Sequence, residues 1–329
     1  MVFKRLLGAI GVAGPEVDTV LDTGVALPGG PLSGQVHLRG GGTAVEIEHI
    51  GLELVARVEA EHGEGESEGT VVFARFTVGG GLRLGEEEQR SVPFSVPLPW
   101  ETPITELYGQ PLGVALGVRT ELAVAGATDQ GDLDPLAVRP LPVQEAVLEA
   151  FGRLGFGFRS ADLEHGRIGG TGQRLPFYQE IELAPAVQYA HAVDEIELTF
   201  LAAPERVEIV LEADKRGGLL SSGHDTLVRF TAGHQDVHTR DWAADVDGWV
   251  GQLVEHRTAH GAQMAYGGHD PYAVHGHHGD HHGHHDGHHS GIGTAVAAGA
   301  AGLAVGVVGG MVAAEVVDEI GDFFEGEED

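Results

Sequence analysis

His49-Ile50-Gly51-Leu52-Glu53-Leu54-Val55-Ala56-Arg57-Val58-Glu59 is the stretch that decides the fold. Ile50, Leu52, Leu54, Ala56 and Val58 recur at every second position, with His49, Gly51, Glu53, Val55, Arg57 and Glu59 between them. Side chains on a β-strand alternate between its two faces, so this period of two predicts one buried and one wet face. Ile47 is out of phase with the series, which predicts a bulge or bend near His49.

The same alternation recurs outward along the chain. It appears at residues 72–78, at Val92, Phe94, Val96 and Leu98, and at Val114, Leu116, Val118, Leu122 and Val124. Breaks rich in Gly and Pro, at 28–30, 40–42, 79–81 and 97–103, separate the runs. Half-buried antiparallel strands at this spacing predict a β-sandwich over residues 15–140. Val143, Val147, Leu148, Phe151 and Leu154 then change to helical spacing behind Pro140 and Pro142, so 141–158 reads as a linker helix. Strand patterning resumes at 177–183, 195–200, 206–213 and 226–231. A second sandwich over 159–254, closed by Trp242, Val246, Trp249 and Val250, is the simplest account. The fold class is therefore all-β.

Composition changes after about Leu253. Residues 255–290 are rich in Gly and His and read as disordered. Residues 291–314 are uncharged and dominated by Gly and Ala, a helical segment, and 315–329 form an acidic tail without a basic residue. At the other end, Val2, Phe3, Leu6, Leu7 and Ile10 make one stripe of an amphipathic helix over 1–14. That helix packs on its own domain, a membrane surface or a partner.

Charge and cysteine content narrow the function. Fifty acidic against 19 basic residues give a net charge of −31, which repels phosphate backbones and disfavours nucleic acid as a partner. With no cysteine, structural disulfides, thiolate catalysis and Cys-based zinc sites are excluded. The N-terminus has no secretory pattern, and a cytoplasmic protein is expected, peripheral membrane association being the alternative.

No constellation reads as catalytic. Gly65-Glu66-Ser67-Glu68-Gly69 matches a nucleophile elbow in letters, but it falls in an acidic loop between antiparallel strands, without the strand-to-helix turn such a serine needs. His234 and His238 have the spacing of a helical zinc pair, but they lack the glutamate base and read as a loop after a strand.

Two features of the tail carry more. His275, His277, His278, His281, His282, His284, His285, His288 and His289 are a dense set of imidazoles that suits nickel, zinc, copper or cobalt. That run serves as a metal buffer or sensor, as a pH switch, or as a polar spacer binding metal incidentally. No cofactor is required by the rest of the chain. Gly302, Gly306 and Gly310 recur every four residues, the strip that lets helices pack closely. Self-association, membrane insertion and a plain spacer are the three readings of that segment.

Several blocks resemble a known family. Phe3-Lys4-Arg5-Leu6-Leu7-Gly8-Ala9-Ile10-Gly11-Val12, followed by Val17-Asp18-Thr19-Val20-Leu21, is similar to the start of bacterial sporulation-control proteins of the stage-zero M type. Leu27-Pro28-Gly29-Gly30, Ser33-Gly34-Gln35-Val36 and Val92-Pro93-Phe94-Ser95-Val96-Pro97-Leu98-Pro99 resemble segments shared by arrestin-like N-domains. Leu175-Pro176-Phe177-Tyr178-Gln179-Glu180-Ile181-Glu182-Leu183 also looks family-like. The likeness covers about residues 2–253. It implies two arrestin-like sandwiches joined by a linker, acting as a non-catalytic adaptor or scaffold that binds other proteins in differentiation or stress, and it implies no catalytic residues.

Overall fold

The computed structural model of the chain describes residues 14–22, 26–62, 65–125, 130–213 and 227–266. The expected N-terminal helix, the histidine run, the Gly/Ala segment with Gly302, Gly306 and Gly310, and the acidic tail lie outside the described residues.

The opening stretch forms the middle of β3 (Val45–His62), the strand around which the first lobe is organised. Before it come β1 (Glu16–Leu21) and β2 (Pro31–Arg39). After it come β4 (Gly65–Leu84), β5 (Gln89–Pro97), the two-residue strands β6 (Glu106–Leu107) and β7 (Gln110–Pro111), β8 (Leu116–Val124) and β9 (Gln130–Pro135). One sheet has the order β1-β2-β5; the facing one runs β4-β3-β8-β9. Ile47, Ile50, Leu52, Leu54, Ala56 and Val58 are all buried between them. The register of β3 against β8 slips between Ile47 and His49, as the phase break predicts.

The opposite face of β3 departs from the alternation. Val55 is buried and Glu53 is only 6% exposed, although its position predicts a wet side chain. Glu53 is covered because Arg75 of β4 and Arg119 of β8 close over its carboxylate from both neighbouring strands.

Two family-like motifs have direct geometric causes. Leu27–Gly30 is a type II turn, closed by Gly30 N–H donating to the Leu27 carbonyl at 3.0 Å, with Pro28 presetting φ and Gly29 at φ +73°. Trp100 packs over that turn so closely that a Cβ on Gly29 would meet its ring at 2.4 Å. At Gly34, a Cβ would meet the Val20 carbonyl at 2.5 Å and the Phe94 ring at 2.8 Å.

The second lobe begins with α1 (Pro142–Leu154), shorter than the expected 141–158 because Gly155 takes a left-handed conformation and ends it. Then follow β10 (Gly157–His165), β11 (Phe177–Ala184), β12 (Ile196–Ala202), β13 (Arg206–Ala213), β14 (Leu227–Gly233), a 3-10 turn at His234–His238 and α2 (Trp242–Tyr266). These strands pair antiparallel in sequence order. Their apolar face is covered by α1 and α2 through Val147, Phe151, Trp242, Val246, Trp249 and Val250. Phe230 stacks on Trp249 with ring centroids 4.8 Å apart. The chain is thus mostly β, as expected, with two helices as the cover of its second sheet.

Three boundaries differ from the sequence reading. Helix α2 continues to Tyr266, through residues assigned to the disordered segment, because the turns nucleated by Trp242–Leu253 propagate into good helix formers such as Ala262, Gln263 and Met264. Gly65-Glu66-Ser67-Glu68-Gly69 lies on β4 rather than in a loop, since pairing runs as far as His62 opposite Gly65. His234 and His238 sit on a 3-10 turn, not an open loop.

The lobes are joined rather than merely tethered. Strand β10 bridges β3 in parallel, with Glu164 opposite Glu59, making one nine-stranded sheet. The Glu101 carboxylate accepts the backbone N–H groups of Arg174 and Leu175 at 2.7 and 2.9 Å. Gln179 pairs with the Ile104 backbone twice, at 3.0 and 2.8 Å. Leu163, Leu175 and Phe177, all from the second lobe, are buried in the first lobe's core.

Candidate interaction edges

A protein that binds others by strand addition needs a sheet edge whose backbone N–H and C=O groups point outward. In an antiparallel pair those are the residues of the non-hydrogen-bonded positions. Apart from the two-residue strands β6 and β7, and from β10, which pairs with β3 only at Glu164, the edges here belong to β1, β5, β4, β9 and β14. An exposed edge is also an aggregation hazard, and four of the five carry a device that blocks it.

Strand β5 has Pro93 and Pro97, which remove donors. Strands β1 and β9 close on each other: Thr19 N–H donates to the Asp132 carboxylate at 2.7 Å, and the Thr19 hydroxyl is hydrogen-bonded at 2.7 Å to that of Thr120 on the adjoining β8. On β14, Arg240 donates to the Thr231 carbonyl at 3.3 Å and Gly233 N–H donates to Asp236 at 2.9 Å. These contacts occupy outward-facing groups of that edge.

The β9 edge has a pH-sensitive pair. Burial, then the negative charges of Asp132 and Asp18, push Asp134 up to about 7. The folded state therefore holds a proton that the unfolded chain, with an ordinary carboxyl near 3.9, releases earlier. Its contribution is full below pH about 4 and is lost as pH rises through about 7. Asp134→Asn removes this dependence. The full shift corresponds to roughly 4 kcal/mol, but water still reaches part of this carboxyl and screens it, so urea unfolding at pH 4, 5.5 and 7 should show wild type losing about 1–2 kcal/mol more than the variant across that range.

Strand β4 is different. Its register against β3 has breaks between Leu54 and Val55 and between Ile50 and Gly51, leaving Phe73 and Val78 as extra residues that distort its second half. From Val72 back to Gly65 the register is unbroken. Arg57 N–H donates to the Ala115 carbonyl, on the β8 side, so the Arg57–Thr70 pair is not hydrogen-bonded across β3 and β4. The N–H and C=O of Thr70 therefore face the open side of β4, where no strand lies among the described residues. Glu68 and Val72 share that orientation.

His234 is engaged elsewhere, its Nε2 within 2.7 Å of the Ala203 carbonyl and its ring stacked on Trp100 at 5.4 Å. The histidines of 275–289 lie outside the described residues. Among the described residues no helix is long and apolar enough to cross a membrane. Thr70, Glu101 and Gln179 were not singled out from sequence, because edge position and inter-lobe contact depend on which distant strands meet.

Comparison with known proteins gives one consistent result. The model of the family described as Spo0M: SpoOM protein matches residues 3–217. The sporulation-control protein spo0M of Bacillus subtilis (strain 168) is 35% identical over 215 residues, 65% of this chain and 81% of the relative. The crystal structure of Spo0M from Bacillus subtilis superposes with a TM-score of 0.65 at 30% identity, covering 75% of this chain and all of that one. The family match spans both lobes, including β10 to β13, and the chain belongs to the SpoOM protein family.

Proposed function

We propose that this chain is a non-catalytic, cytoplasmic regulatory adaptor in sporulation or stress control, and that it takes a strand of a partner protein on the free edge of β4 around Thr70. The regulatory half of the reading is supported by the Bacillus subtilis relative, whose name is that of a sporulation-control protein. The binding half is carried by one observation: among the described residues four sheet edges are blocked by proline, carboxylate or arginine, while the unbulged part of β4 is open. The joined lobes support it as well, because a rigid frame lets the partner's strand be ordered at lower entropic cost.

Thr70→Pro tests this. Thr70 N–H points away from β3, so proline there removes an outward donor and leaves the β3–β4 ladder intact. The variant is expected to keep wild-type stability within about 1 kcal/mol. Affinity purification from the native cell should recover a specific partner with wild type and lose it with the variant. Equal recovery by both, or no specific partner with wild type, overturns the reading.

A further inference from the structure

The outward face of the second sheet carries carboxylates in register. Asp162 on β10 lies opposite Glu180 on β11, and Glu164 lies between Tyr178 on β11 and Glu59 on β3. One row further along, Glu182, Glu197 and Glu212 stand side by side on β11, β12 and β13. Like charges directly opposite each other across strands are destabilising, so each such row requires counter-charges beside it.

Glu180 sharpens that requirement. It is only 6% exposed, and its Oε1 has no hydrogen-bond partner among the described residues. A buried, unsatisfied carboxylate oxygen costs the full desolvation of that group. One oxygen each from Asp162, Glu164 and Glu180 lies within 4.8 Å of the others. Three carboxylates without nitrogen or sulfur make an all-oxygen donor set, which suits a hard cation such as calcium. Magnesium, at about 2.0–2.1 Å with near-ideal octahedral demands, fits less readily, and most transition metals other than manganese prefer nitrogen or sulfur.

We propose that Asp162, Glu164 and Glu180 hold a calcium ion on the outer face of the second sheet. Glu180 is the buried anchor, and Asp162 and Glu164 complete the protein ligands, with water filling the remaining positions. Because Glu164 is in register with Glu59 of β3, the ion sits at the seam of the two lobes and stabilises their junction.

The test uses the full chain, freed of metal by a chelator and titrated with calcium at fixed ionic strength. Calcium suits it because the histidine run prefers softer ions. The expected results are a rise in Tm of several degrees and a saturable calorimetric binding event. Glu180→Gln and Asp162→Asn should each weaken binding at least tenfold and abolish the Tm shift, while the metal-free Glu180→Gln protein melts above metal-free wild type. Terbium provides a local probe, since Tyr178, adjacent to this cluster, would sensitise its emission. Tyr178→Phe should lose that emission and keep the calorimetric signal. A wild-type Tm shift no larger than matched potassium chloride produces, or a shift that survives in both carboxylate variants, overturns the proposal.

Discussion

Replacing Phe177 with alanine is expected to destabilise the protein by about 3–5 kcal/mol, the range for deleting a fully buried aromatic ring. Phe177 is 1% exposed and opens β11, a strand of the second lobe, yet its ring is buried in the first lobe's core. It meets Phe73 of β4 edge to face, with centroids 5.6 Å apart and planes at 87°. Such a pair contributes about 0.5–1.5 kcal/mol beyond the area it buries. Phe73 is the extra residue where the β3–β4 register slips, so the bulge that distorts this edge also turns a ring into the inter-lobe seam. The cavity would fall where the two cores meet, so the lobes should also unfold less cooperatively. Urea unfolding followed by far-ultraviolet circular dichroism and by tryptophan fluorescence should give one transition for wild type and separated transitions for F177A. A double-mutant cycle with F73A isolates the aromatic pair. A loss below about 1 kcal/mol with coincident transitions would mean that the lobes are held without the Phe177 ring, by the Glu101 and Gln179 contacts, the β10–β3 bridge and the burial of Leu163 and Leu175.

Much of the first lobe was legible because local period and burial agree there. Ile50 to Val58 alternate, and the out-of-phase Ile47 marked the bulge without knowledge of any partner strand. The motif Leu27-Pro28-Gly29-Gly30 was equally readable, since a type II turn needs those residues in that order. What stayed hidden is non-local. Glu53 obeys the alternation as a polar residue but is buried, because its two arginines arrive from 22 and 66 residues away. Thr70 looks like any strand threonine, and only the complete strand order shows that its backbone is open. Asp162 and Glu180 become neighbours through the register of β10 with β11, which spacing along the chain does not reveal. The polar sequence after Leu253 concealed the rest of α2 for a related reason: propensity and a nucleated end extend a helix without an apolar stripe. The sequence pattern thus reached elements and their caps, while the candidate edge and the carboxylate site required topology.

The second large effect is expected at Glu53. Its carboxylate accepts Arg75 Nε at 2.5 Å through one oxygen and Arg119 Nε at 2.9 Å through the other, with the Arg119 Nη2 group on that same oxygen. The two arginines are not equivalent, for the Arg75 side chain is 68% exposed and that of Arg119 only 18%. Water already solvates Arg75, so R75M should cost no more than about 1 kcal/mol. R119M removes the shielded partner and strands a buried charge, for which a loss of about 3 kcal/mol is expected. If that loss comes from the stranded charge, removing the charge as well should restore stability. E53M/R119M should therefore be more stable than R119M alone, since methionines fill comparable space without a desolvation penalty. Urea unfolding of wild type, both single variants and the double variant gives the coupling energy directly. Repeating the set in high salt separates the contributions further. Screening should erase the small effect of R75M and leave that of R119M largely intact, because ions reach the exposed guanidinium and not the covered one. Equal losses for the two arginine variants would instead show that Glu53 is held by long-range field rather than by the contact with Arg119, and that its burial follows from the packing of β4 and β8 alone.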